Sequence, residues 1–202
     1  AGSAHGRRAL LHALAHFELN AVDLAADILV RFPDEDLPRA FHDDWVLVLG
    51  EEAKHFLLLD DRLAELGAGY GDLPAHDGLW QAARDTSDGL LARLAIVPLV
   101  LEARGLDVTP PMIANLRRAG DDASADVLET VYRDEIGHVA IGRRWFEHVC
   151  AERSLDPIPT FQTLVAKHFK GRLKPPFNIA ARSAAKMNRA YFDSDTLPGG
   201  ET

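Results

Sequence analysis

The sequence carries one cysteine, Cys150, in 202 residues. That excludes a disulfide framework and a metal site built from thiolates. It has no run of 18 apolar residues, so no membrane-spanning helix is expected. Strand-like alternation is missing too. Apolar residues recur at helical spacing almost throughout, and the expected class is all-α. Basic charge is short, with 22 Lys and Arg against 31 Asp and Glu and a net charge of −9. This disfavours a general nucleic-acid binder or a protein drawn to anionic membranes. The first 16 residues are broken by His and Arg and lack a signal-peptide core. With the lone cysteine, this points to a reducing cytoplasm. What the chain does have is 47% apolar residues, ample for a core, and a charged fraction of 26% that argues against disorder.

Four long helices are expected. The first spans residues 7–31, with the inward stripe Leu11, Leu14, Glu18, Val22, Ala25 and Leu29. The second carries Pro38 in its first turn and stops at Gly67, with the stripe Phe41, Trp45, Val48, Glu52, His55, Leu59, Leu63 and Leu66. The third spans residues 77–104 behind an Asp77 cap, and its stripe is Leu91, Leu94, Pro98 and Glu102. Pro98 predicts a kink one turn before Glu102, and Gly105 is the expected stop. A short helix from Pro110 to near Gly120 separates it from the fourth, residues 122–152. That helix carries Leu128, Val131, Glu135, His138, Gly142, Trp145 and Val149 inward. Two more helices are expected, over residues 160–170 and from an Asn178 cap to near residue 191, followed by a frayed tail over 193–202.

Each long stripe therefore contains a glutamate: Glu18, Glu52, Glu102 and Glu135. Two of them belong to Glu-x-x-His, as Glu52/His55 and Glu135/His138, and positions i and i+3 share a helix face. One such motif is weak evidence, and a single inward Glu is easily a misjudged face. Four together, with two histidines, are better read as a metal site. Unpaired carboxylates in a core cost several kcal/mol each, roughly, and would protonate instead. Two divalent ions would balance four carboxylates. The spacing also repeats: Glu18 to Glu52 is 34 residues and Glu102 to Glu135 is 33.

These residues carry a resemblance. The phrases are His16-Phe-Glu-Leu-Asn20, Glu51-Glu-Ala-Lys-His-Phe56, Glu102-Ala-Arg-Gly-Leu-Asp-Val-Thr-Pro110, Tyr132-Arg-Asp-Glu-Ile-Gly-His138 and Pro175-Pro-Phe-Asn178. Across nearly its whole length the chain resembles the ferritin-like superfamily, dinuclear carboxylate type, and within it an uncharacterised family defined as a domain of unknown function. A shorter and less specific likeness, in Glu-Glu-x-x-His-Phe and Glu-Ala-Arg, is to the ferritin-like tRNA hydroxylase. The resemblance implies a four-helix bundle over residues 1–152 and a helical extension over 153–202 packed on it. It implies that Glu18 and His55 hold one metal, Glu102 and His138 the other, and that Glu52 and Glu135 bridge. It also implies that Glu51 and Asp134 orient the ligand histidines by hydrogen bonding.

The expected function is that of a dinuclear iron or manganese–iron oxidoreductase that activates O₂, an oxidase or hydroxylase drawing on an electron donor. Nitrogen-plus-carboxylate ligands suit iron, manganese or zinc; two metal ions are expected, with iron as the expected metal. A bacterioferritin-type ferroxidase is the alternative function. The substrate is a small molecule or a modified nucleoside; general nucleic-acid binding is disfavoured, tRNA stays open through the weaker likeness, and a homodimer is compatible with the pattern. Tyr132, one turn before Glu135, is a candidate pocket residue or a packing residue. His12 and His16 at i, i+4 form a weaker metal pair on a stretch expected to be partly exposed. Trp45 and Trp145 read as packing. From residue 161 onward seven Lys and Arg face three Asp and Glu. This basic stretch either docks on the acidic remainder of the chain or binds an anion.

Overall fold

The structure, a computed structural model, describes residues 3–192; the expected tail over 193–202 lies outside the described residues. The chain is all-α, with no strand among them. The helices are α1 (Ala4–Arg31), α2 (Arg39–Glu65), α3 (Gly78–Asp85), α4 (Leu90–Ile96), α5 (Ala103–Arg118), α6 (Asp122–Glu152), α7 (Pro157–His168) and α8 (Ile179–Ala184). A π-helical run, Val97–Glu102, joins α4 to α5, and a 3₁₀ turn, Arg189–Tyr191, follows α8.

Internal contacts divide the chain into two units. The first holds the residues up to Gln81 together with Val108–Asp134. Here α1 and α2 pack as an antiparallel pair, since Leu11 and Ala15 share one core cluster with Leu59 and Leu63. Ser3 caps α1 by accepting from the Gly6 N–H, and Gly67 stops α2 at φ +72°, a conformation that glycine adopts without strain. The expected stripe of α2 is buried from Phe41 to Leu63, leaving only Leu66 half-buried. On α1 the buried face is shifted: Ala15, Ala21, Leu24 and Ile28 lie inside, while Leu14, Val22 and Leu29 are half-buried.

His12 is buried rather than partly exposed, with its Nε2 accepting from the Gly71 N–H at 3.0 Å. His16 donates to the His76 carbonyl from Nε2 at 2.7 Å, which leaves Nδ1 to accept from the Tyr70 hydroxyl at 2.8 Å. The pair anchors the 66–77 connection, whose backbone N–H and C=O groups need partners.

The second unit holds Ala82–Asp107 and Glu135 onward. Here the expected third helix is corrected. It is broken after Asp85, resumes at Leu90, widens into the π run around Pro98, and continues as α5 past Gly105 and through Pro110 and Pro111. No new helix starts at Pro110. Proline there removes the N–H that would bond the Leu106 carbonyl, but the Asn178 side chain donates to that oxygen instead, at 3.1 Å. With the carbonyl satisfied, the helix runs on. The last helix is shorter than expected, because the chain turns at Lys186 (φ 56°) before the 3₁₀ turn. Residues 90–100 are all buried, so this stretch is core on every side. Helix α7 packs on α4, and Phe146, Phe161 and Tyr191 meet edge-to-face.

A close approach fixes the π run. A Cβ on Gly142 of α6 would overlap the Pro98 ring. Glycine at 142 lets the two backbones come together where the ring protrudes.

Candidate metal centre

All six expected ligands are buried. Glu52, His55 and His138 are 0% exposed, Glu18 is 4%, and Glu102 and Glu135 are 5%. Their positions follow from the helices that carry them.

In the first unit, Glu18 sits midway along α1, facing Glu52 and His55 one turn apart on α2. His55 Nδ1 lies 3.3 Å from Glu18 Oε2 and 3.4 Å from Glu52 Oε2. Each of the three offers a ligand atom within 4.8 Å of the others. The other ring nitrogen, Nε2, lies 3.1 Å from Asp134 Oδ2. The Lys54 ammonium donates to the same Asp134 oxygen.

The electrostatics follow. Burial alone would push the His55 pKa down; hydrogen bonding and charge from Glu18 and Glu52 outweigh it and raise the pKa to about 10. The imidazole thus sits in a strongly negative field, and the same field favours a metal cation. Burial would raise the Asp134 pKa, but Lys54 and His55 hold it below the usual carboxylate value, so it stays ionised.

In the second unit, Glu102 closes the π run and Glu135 and His138 lie one turn apart on α6, with His138 Nδ1 3.5 Å from Glu135 Oε1. Glu51 and Tyr132 are half-buried, each beside or one turn from a ligand candidate. Trp45 and Trp145 are buried. His12 and His16 are committed to the connecting loop and do not join these donors.

Sequence reasoning missed the part of Lys54. It stands one residue before His55, and its role becomes visible only when α6 brings Asp134 to that end of α2.

The donor set suits a metal: carboxylate oxygens and imidazole nitrogens, buried together, are the ligands of iron, manganese and zinc. With Nε2–H directed at Asp134, Nδ1 is the nitrogen left to face a cation beside Glu18 and Glu52.

Among known proteins, a family model described as "Protein of unknown function (DUF455)" matches residues 1–193. An "Uncharacterized protein" of Haemophilus influenzae (strain ATCC 51907 / DSM 11121 / KW20 / Rd) is 42% identical over 193 residues, which span 93% of this chain and 67% of the relative. No solved structure matches the chain. On the extent of both matches, the chain belongs to the DUF455 family.

Proposed function

We propose that the protein is a ferritin-like dinuclear-metal oxidoreductase that activates O₂, with iron, or manganese and iron, as its metals. The observation that supports this best is the buried Glu18–Glu52–His55 set with Asp134 against the far side of the imidazole. Glu102, Glu135 and His138 repeat the same donor types in the second half of the chain.

In this reading Glu18, Glu52 and His55 supply ligands to one ion, and Glu102, Glu135 and His138 to the other. Two such ions, when bound, supply the electrons and Lewis acidity for O₂ reduction. The chain's own residues do the rest. Asp134 accepts the Nε2–H of His55 and fixes its tautomer, so that Nδ1 presents its lone pair. Lys54 keeps Asp134 ionised. Burial excludes water from the carboxylates and strengthens their pull on a cation. The π run carries Glu102 at its end, and a widened turn gives that carboxylate more room to change its position than a regular α-turn would.

The test is elemental analysis of protein purified from iron- and manganese-supplemented cultures, followed by anaerobic reduction and O₂ titration. The expected result is two metals per chain and O₂ consumption by the reduced protein. Glu52→Ala and Glu135→Ala should each abolish both. Metal-free protein, or saturated zinc with no O₂ uptake, overturns the reading. Core mineralisation by a cage-sized assembly would replace it with the ferroxidase.

A further inference from the structure

The second unit contains a cavity of about 220 Å³ between the π run and residues 169–177. Leu101 forms part of its apolar wall, with the rings of Phe169 and Phe177 beside it. Arg104, Arg172 and Lys174 also line it. The lining includes one acid among the described residues, Asp107, and that acid is already taken. Arg182 donates to it from Nε at 3.0 Å and from Nη2 at 2.7 Å, with both residues buried. This pair neutralises itself, so the charge at the cavity is that of the three remaining cations.

Those cations are placed differently. Arg104 donates to the Lys174 carbonyl at 2.8 Å and lies 3.5 Å from Asp107, so it fixes the 171–174 wall in position. Arg172 and Lys174 are exposed, and no acid among the described residues pairs with either. Positive charge beside low-dielectric walls focuses the field into the cleft and draws in anions. The rings are held as well. The Arg182 guanidinium stands over Phe177 at 5.1 Å. A Cβ on Gly171 would come within 2.9 Å of the Phe169 ring, so glycine lets the backbone close against that side.

We propose that this cavity binds a small molecule in which one anionic group, phosphate or carboxylate, is joined to a planar apolar body. The cations take the anion, and Phe169, Phe177 and Leu101 take the body. The volume lies below the roughly 300–1,000 Å³ of pockets for drug-sized ligands, so the body is about one ring. Leu101 immediately precedes Glu102 in the chain. Identifying the ligand as the substrate therefore rests on the proposed function, whereas the binding itself needs no metal.

Calorimetry on the full chain, as purified and after metal removal by chelation, tests this with phenyl phosphate, benzoate and inorganic phosphate. Phenyl phosphate or benzoate should bind, and the tighter of the two identifies the anionic group. Inorganic phosphate should bind at least tenfold more weakly, because it lacks the body. The double variant Arg172→Glu/Lys174→Glu, at two exposed positions, should lose tenfold or more with an unchanged helical circular-dichroism spectrum. The proposal is overturned if neither aromatic anion binds, if inorganic phosphate binds as well as phenyl phosphate, or if the double variant binds like the wild type. Metal content measured on the same samples separates the two readings. Protein that is metal-free as purified yet binds phenyl phosphate sinks the oxidoreductase and keeps the cavity, and protein that carries two metals as purified yet binds neither aromatic anion does the reverse.

Discussion

Asp134 of α6 and His55 of α2, 79 residues apart in sequence, meet with Oδ2 3.1 Å from Nε2. The same carboxylate accepts from Lys54, the residue next to that histidine. Asp134 is therefore held from two sides and in turn holds the imidazole. If Nδ1 faces a metal, removing Asp134 frees both the ring's rotation and its tautomer. Asp134→Ala should lower metal affinity about 10–100-fold, the usual size of such a loss. Asp134→Asn keeps an oxygen acceptor and should recover part of it. Competition titrations with a chromophoric chelator read both, and wild-type affinity in Asp134→Ala would reduce the residue to an ordinary helix-surface acid.

Metal should also stabilise the fold. Three buried acidic or imidazole groups share one site in the first unit, and their crowding favours any cation that enters it. Binding to the native state alone adds about 2.7 kcal/mol at a ligand concentration 100 times Kd. Thermal melts with saturating Mn(II) should therefore show a higher Tm than chelator-treated protein. Glu18→Ala should remove most of that increase. Equal melting temperatures with and without metal count against a site that accommodates a cation.

A separate acid-sensitive contact lies at the start of α6. Asp121 accepts the Ser124 N–H as a helix cap at 3.1 Å and pairs with Arg62 at 2.8 Å and Arg7 at 3.2 Å. Burial opposes its ionisation, but Ser124 and Arg62 outweigh that and hold its pKa below the ordinary 3.8. Because the folded value is the lower one, the contribution is complete above about pH 4 and is lost as pH falls through the folded pKa. Asp121→Ala should cost about 1–3 kcal/mol at pH 7, by leaving buried donors unmatched. The deficit should shrink at pH 2–3. Urea melts at both pH values provide the check, and a deficit independent of pH would show that the carboxylate charge contributes nothing.

The all-α class and the inward glutamates were legible because burial and helical period act on single elements. Phe41, Trp45, Val48, Glu52 and His55 read correctly from spacing alone. The third helix did not. Proline and glycine signal breaks, but their effect depends on what satisfies the backbone they expose. At Pro110 that partner is Asn178, 68 residues later, and local sequence cannot contain it. His12 failed for a similar reason: its burial comes from the 66–77 connection folding over α1. The basic stretch was left open between docking and anion binding, and its members divide. Arg182 is spent on Asp107, whereas Arg172 and Lys174 line a cavity.

The contact between Pro98 and Gly142 makes the last prediction. Adding a methyl at 142 drives it into the proline ring, within a stretch where every residue from 90 to 100 is buried. Packed cores yield little to such insertions, and the cost is typically about 1–3 kcal/mol. Gly142→Ala should therefore lower stability by that amount, although alanine is the better helix former by about 1 kcal/mol. The sign of the change thus reports the contact, since propensity alone would raise stability. Pro98→Gly removes both ring and Cβ and clears the space. The double variant Pro98→Gly/Gly142→Ala should then be more stable than the sum of the single changes implies, with a coupling of about 0.5–3 kcal/mol for residues in contact. Urea denaturation of the four proteins measures it. Additive effects, or a stabilising Gly142→Ala, would mean that α6 and the π run are further apart at this point than the structure places them.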